Sequence, residues 1–205
     1  MKYLNIIPTI YLYNGKAVNK DTKEVIGDAV SFALSYDNNG ADELLIFDIS
    51  TTDREHEANI STMINIADTV DIPMIVGGNV SRLEDVKKYI YTGAKKAILN
   101  VKENLQVLDE ATKRFGSENL AIITDEDVPK DIDEKVSLVI TSNKSLKTDN
   151  EVLFIGNSDD YNKFKNQYGL TTIDFNADFD FMSYKNKLKE NNIKVNVFES
   201  ALDFD

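Results

Sequence analysis

Apolar residues fall in short runs separated by longer amphipathic stretches along almost the whole chain. The β-prone runs lie at 4–10, 43–48, 74–76, 96–100, 120–124, 136–141, 152–155 and 171–175. Helical periodicity fills most of the gaps. Residues 26–39 gather Ile26, Ala29, Val30, Phe32, Ala33 and Leu34 on one face, and 56–70 do the same with Ile60, Met63, Ile64, Ala67 and Val70. Residues 82–92, 104–115, 159–168 and 181–192 follow suit. Strands alternating with helices predict right-handed βαβ units around a parallel sheet. Eight runs predict an α/β fold of the closed (βα)8 TIM-barrel type, with an open doubly wound sheet as the alternative. For that barrel the 205 residues are few. The compression falls between 125 and 151, where units five and six are short. No linker or low-complexity tract interrupts the pattern, so residues 1–205 read as a single domain.

A loose internal repeat supports the barrel. Residues 87–100, KKYIYTGAKKAILN, and 163–176, KFKNQYGLTTIDFN, both run helix end, glycine, strand, asparagine. IVGGN at 75–79 parallels FIGN at 154–157. The repeat relates units three and four to units seven and eight, and predicts two phosphate pockets on opposite sides of the barrel mouth. In the first of these, the run at 74–76 ends in Gly77-Gly78-Asn79 and a helix with an acidic first turn follows. Glycine allows close backbone approach, and a helix N-terminus aims N–H groups at an anion. Gly77-Gly78 therefore reads as a ligand-approach turn before it reads as a plain one.

Charge and composition narrow the chemistry. With 35 acidic residues against 23 lysines and arginines, the net charge is −12. Such a surface repels nucleic acid and anionic lipid, so neither is expected as a partner. The absence of cysteine removes thiolate nucleophiles, disulfides and zinc–thiolate sites, and fits a cytoplasmic location. One histidine cannot build a histidine metal site, so no metal or cofactor is expected. His56, flanked by Glu55 and Glu57 at a helix start, is expected at the surface. No run reaches bilayer-spanning length, and the first residues lack a signal-peptide pattern.

Four segments resemble a known family: IIPTIYLYNGKAV (6–18), GADELLIFDIS (40–50), IPMIVGGNVSRLEDVKKYIYTGAKKAILN (72–100) and RFGSENLAIITD (114–125). They look like the cyclase subunit of imidazole glycerol phosphate synthase, a barrel of histidine biosynthesis. The likeness is strong over 5–125, faint afterwards, and returns in LKENNIKVNVFES at 188–200. The resemblance implies a (βα)8 barrel that uses ammonia from a glutaminase partner to close a ring on a substrate with two phosphates. It also implies two catalytic aspartates, at the ends of strands one and five. Strand five ends in Asp125, but Tyr11 stands where the first aspartate would be. A phenol with a pKa near ~10 is a poor base at neutral pH. The lysine expected soon after appears as Asn19, with Lys20 beside it.

The same resemblance places one phosphate at Gly77, Gly78, Asn79 and Asn100, with Val101 where the family has a hydroxyl residue. The second pocket is worn: Gly156-Asn157-Ser158-Asp159-Asp160 and Asn176-Ala177-Asp178-Phe179-Asp180 bring carboxylates that would repel a phosphate. A long loop after strand six is missing at Thr141-Ser142-Asn143-Lys144. At the ammonia entrance Glu43 and Lys96 match, while Asn5 and Ser137 replace an arginine and a glutamate, which argues against a gated tunnel and glutaminase docking.

Several residues keep two readings. Asp48 either orients a substrate or caps the following loop through Ser50 or Thr51. Asp125 is either a general acid/base or part of a solvated turn with Glu126 and Asp127. Tyr11 reads as a plug in the mouth, and Asp174, Asp178 and Asp180 as a solvated loop before a cation site. Two functions follow. One is a phosphate-binding barrel of the cyclase type, impaired in catalysis by Tyr11. The other is a non-catalytic scaffold or regulatory domain fused to, or partnering, a phosphoribosyl-AMP cyclohydrolase, since VNVFESALDFD resembles that junction and an apolar end at Phe204 suggests a cut there.

Overall fold

Nine of the strands form one continuous parallel series, and the first apolar run supplies the strands at both of its ends. A computed structural model describes residues 3–100, 105–160 and 167–197. Its strands are β1 (Asn5–Ile6), β2 (Thr9–Tyr13), β3 (Lys16–Val18), β4 (Val25–Gly27), β5 (Leu44–Asp48), β6 (Met74–Gly77), β7 (Lys96–Asn100), β8 (Leu120–Ile123), β9 (Leu138–Thr141), β10 (Glu151–Ile155) and β11 (Gly169–Thr171). The helices are α1 (Ala29–Asn38), α2 (Asp53–Ala67), α3 (Leu83–Tyr91), α4 (Leu105–Phe115), α5 (Lys130–Asp133) and α6 (Phe181–Glu190). The sheet order is β1-β11-β10-β9-β8-β7-β6-β5-β2-β3-β4. Pro8 lacks an N–H and splits the first run. Its first half pairs in parallel with β11, and its second half with β5. The parallel sheet is thereby curled.

Side chains alternate across the strands, so the sheet feeds two cores. Leu44, Ile46, Met74, Val76 and Leu99 pack with the helices. Ile7, Leu45, Ile75, Ile98, Ala121, Leu138, Ile140 and Leu153 form a second cluster, packed with Phe47, Ile123, Ile155 and Tyr168. Between 125 and 151, α5 has four residues, and β9 runs to β10 through turns.

Two expectations shift, and one hairpin is new. The last strand is Gly169–Thr171 and not 171–175, because the Thr172 hydroxyl accepts from the Asp174 N–H and turns the chain. Phe175 then folds back onto Phe179, Phe181 and Tyr184. The first helix begins at Ala29, because residues 25–27 pair with β3 and Asp28 caps the helix. The β2–β3 hairpin turns at Asn14-Gly15, both at positive φ, the pairing that a type I′ turn demands. Most of the helix expected at 159–168, Val101 and the tail beyond 197 lie outside the described residues. No helix among the described residues is long and apolar enough to cross a membrane.

At the N-terminal end of the strands, fully buried Lys185 of α6 donates to Asp42 at 2.7 Å, and Asp42 also accepts from the Ile6 N–H at 2.7 Å. Removing one partner of a buried pair strands the other charge. Lys185→Ala is expected to lower stability by about 3–5 kcal/mol, read as the shift in urea midpoint at constant slope.

Candidate functional site

The C-terminal ends of the parallel strands gather the polar residues that the sequence singles out. At their centre Asp48 ends β5, 2% exposed. One carboxylate oxygen accepts from the Ser50 N–H at 2.9 Å and from the Asn59 amide at 2.7 Å. The other meets His56 Nδ1 at 2.5 Å and accepts from the Tyr89 hydroxyl at 2.9 Å. The loop cap through Ser50 is therefore present, with three further donors from α2 and α3. Burial pushes the Asp48 carboxyl up, but the hydrogen bonds from His56, Ser50 and Asn59 outweigh it and hold the group below the usual carboxylate range.

His56 is buried, contrary to the surface position expected for it. Helix α2 starts at Asp53, three residues earlier than its periodicity suggests, behind a Thr52/Glu55 capping box. His56 then falls on the inward stripe with Asn59, Ile60, Met63 and Ile66. That period was present in the sequence; the flanking glutamates masked it. Its Nε2 is buried without a hydrogen-bond partner, 4.0 Å from Asp85 Oδ1.

The glycine loop is held from behind by this cluster. Tyr89 OH accepts from the Asn79 N–H, and the Asn79 amide donates to Ser50 Oγ at 2.9 Å. A β-carbon on Gly77 would lie 2.5 Å from Ile98, and one on Gly78, where φ is +124°, would lie 2.2 Å from the Asp48 carbonyl oxygen. Both glycines are thus required by the chain's own packing. Just ahead of α3, the Asp85 side chain accepts from the Ser81 and Arg82 N–H groups and so caps the helix start.

Beside the loop lies a cavity of about 300 Å³ that Gly78 and Asn100 help to line; Gly77 and Asn79 do not. Tyr11 and Phe47 form one wall as stacked rings, 5.6 Å between centroids and 16° apart. Burial, then the charge of Asp21, pushes the Tyr11 phenol above its ordinary range, making it a still poorer base. Lys20 sits over the Tyr11 ring, 5.8 Å from its centroid.

Asp125 is absent from the lining. Its carboxylate accepts from the Ser142 N–H at 2.7 Å, from Ser142 Oγ at 2.9 Å and from Thr141 Oγ1 at 3.0 Å. These bonds, the Ser142 backbone first, hold its carboxyl below the usual range. On the far rim Asp174 accepts from Ser158, Asp160 pairs with Lys144 and Asp159 with Lys187.

The opposite end of the sheet carries the second set of charges. Tyr168 OH donates to Glu43 at 2.5 Å, and Lys95 reaches both at 2.6 Å. Lys96 donates to Ser137 Oγ and to the Glu118 carbonyl. The sequence offered Lys96 and Glu43 for this ring; Lys95 and Tyr168 were not anticipated. Between this ring and the mouth lies the apolar concave core.

Residues 5–153 match the histidine biosynthesis protein family. The chain belongs to that family. Within it, the chain is similar to imidazole glycerol phosphate synthase subunit HisF of several bacteria. It is 33% identical to that of Flavobacterium psychrophilum over 126 residues, 58% of this chain and 50% of the relative. It is 32% identical to that of Staphylococcus saprophyticus over 135 residues, 63% and 53%. With that of Kocuria rhizophila it shares 35% over 127 residues, 60% and 50%. The chain spans about half the length of these HisF relatives. The likeness read from the motifs therefore falls within the histidine biosynthesis protein family.

A carboxyl held low by folding stabilises the native state above its unfolded value, near ~3.9, and loses that contribution as the pH falls through the folded value. Asp48→Asn is expected to be less stable than the parent at pH 7. In urea titrations run from pH 7 to pH 3, the gap is expected to narrow below about pH 4.

Proposed function

We propose that this HisF-like chain is a compact closed (βα)8 barrel with shortened units five and six, which binds a phosphorylated small molecule without carrying out efficient ring closure. The pairing of residues 5–13 with both β11 and β5 supports closure. Gly78 and Asn100 at the mouth cavity support the phosphate site, with Gly77 and Asn79 shaping the loop from behind. Asp48 acts in this reading as the organiser of that loop.

The observation that carries the impairment is at the mouth itself. Tyr11 fills the place of the first catalytic aspartate and stacks on Phe47, while the carboxylate of Asp125 is turned to Thr141 and Ser142 at the end of β9. Losing a positioned acid or base typically costs a factor of roughly 10²–10⁴ in rate. The filled concave core and the Glu43–Lys95–Tyr168 contact further oppose ammonia passage and a glutaminase partner.

Two measurements test this. Calorimetric titration is expected to show binding of inorganic phosphate and ribose 5-phosphate, weakened at least tenfold by Asn100→Asp. The cyclase's bis-phosphate substrate is expected to bind no tighter than ribose 5-phosphate. Tyr11→Asp is expected to show no more ring closure than the parent chain in a discontinuous product assay. Closure above the parent would mean that the remaining machinery is intact and would sink the impaired reading.

A further inference from the structure

We propose that His56 makes the glycine loop pH-sensitive: the ring that gains a proton on Nε2 ties Asp48 to Asp85 and draws the start of α3 onto α2, and the ring that loses it lets them part. This stands whether or not the loop holds a phosphate.

The geometry is that of a strut between two carboxylates. His56 Nδ1 lies 2.5 Å from Asp48 Oδ2, and Nε2 lies 4.0 Å from Asp85 Oδ1. All three residues are buried. A ring with a single proton, on Nδ1, turns a bare nitrogen toward the Asp85 carboxylate, and that nitrogen is buried without a hydrogen-bond partner. A buried polar atom left unpaired is costly. A second proton turns the same nitrogen into a donor facing an anion, the stronger class of hydrogen bond. At 4.0 Å that bond is not yet made, so making it requires the two helices to approach.

The surrounding groups leave the change of charge to the imidazole. From β5 the ring faces Asp48, and from α3 it faces Asp85 and Tyr89, the last edge-on at 5.6 Å. Burial pushes both carboxyls up. Bonds from His56 and Ser50 to Asp48, and from Ser81 and Arg82 to Asp85, outweigh it and hold both below the usual carboxylate range. Burial, then the charge of Asp48, pushes the Tyr89 phenol far above its ordinary range. Behind Asp85, Arg82 donates to Oδ1 at 3.2 Å and lies 3.7 Å from Asp53. On α2 itself Arg54 is exposed, Glu55 accepts from Tyr13 and Thr51, and Glu57 pairs with Lys88 of α3. Imidazoles change charge between about pH 5 and 8, and the chain holds one histidine.

Helix α3 carries the effect to the loop. Asp85 and Tyr89 stand four residues apart on one face of it. Asp85 Oδ2 accepts from the Ser81 and Arg82 N–H groups, and Tyr89 OH accepts from the Asn79 N–H at 3.1 Å. Drawing Asp85 toward His56 therefore moves the cap ahead of α3 and the hydroxyl that holds Asn79.

Urea titrations of the parent, Asp85→Asn, His56→Gln and the double variant, at about pH 5.5 and about pH 8.5, test the strut. Asp85→Asn keeps an acceptor for the two capped N–H groups. A pair made only by the protonated ring stabilises the native state at low pH and is lost as the pH rises. The ratio of unfolding constants between Asp85→Asn and the parent is expected to be at least about threefold larger at the lower pH. In the His56→Gln background that ratio is expected not to change with pH. The amide resonances of Gly78 and Asn79 are expected to move between the two pH values in the parent and to stay in place in Asp85→Asn. A ratio independent of pH in the parent, or one that widens equally in the His56→Gln background, would overturn the strut. Loop amides that stay in place in the parent would overturn the switch, and that measurement needs no variant to fold.

Discussion

A buried carboxylate with four donors organises the top of this sheet. Asp48 closes β5, and its partners come from the following loop, from α2 and from α3. Through Asn59, which also donates to the Leu12 carbonyl and accepts from the Gly15 N–H, the cluster fixes the hairpin after β2. Through Tyr89 it fixes the Asn79 backbone. A low-dielectric setting strengthens such bonds and makes the loss of any one of them costly. The glycine loop therefore has its shape set from behind, by the protein, before any ligand arrives.

The alternation of strand and helix, the parallel sheet and the crowding after residue 125 could be read directly from periodicity, because burial of one face imposes the period. The Asn14-Gly15 hairpin carried a signal as clear as any, yet it was hidden by the apolar run on one side and the helical pattern on the other. His56 was misread because its neighbours in sequence are charged, while its neighbours in space are three and four residues away. The Lys185–Asp42 pair spans 143 residues, and nothing local to either residue announces it. Asp125 lies at its strand end as its motif implies, but the direction of its carboxylate is decided by Ser142 on the next strand's loop. Position was legible; orientation was not.

The two ends of the sheet have diverged in character. At the mouth, rings and branched aliphatic side chains surround a modest opening with one ammonium. At the other end Glu43, Lys95 and Tyr168 are tied to one another, and Lys96 is tied to Ser137. Between them eight apolar side chains fill the interior.

The burial of His56 gives the protein a built-in reporter. It is the single imidazole of the chain, and it stands between Asp48 and Asp85, edge-on to the Tyr89 ring at 5.6 Å. Ring currents and hydrogen bonding at that spot depend on the seating of α3 against β5, and so on the shape of the glycine loop. One resolved imidazole resonance in a proton spectrum would then follow the loop without any label, in the free chain and as ligand is added.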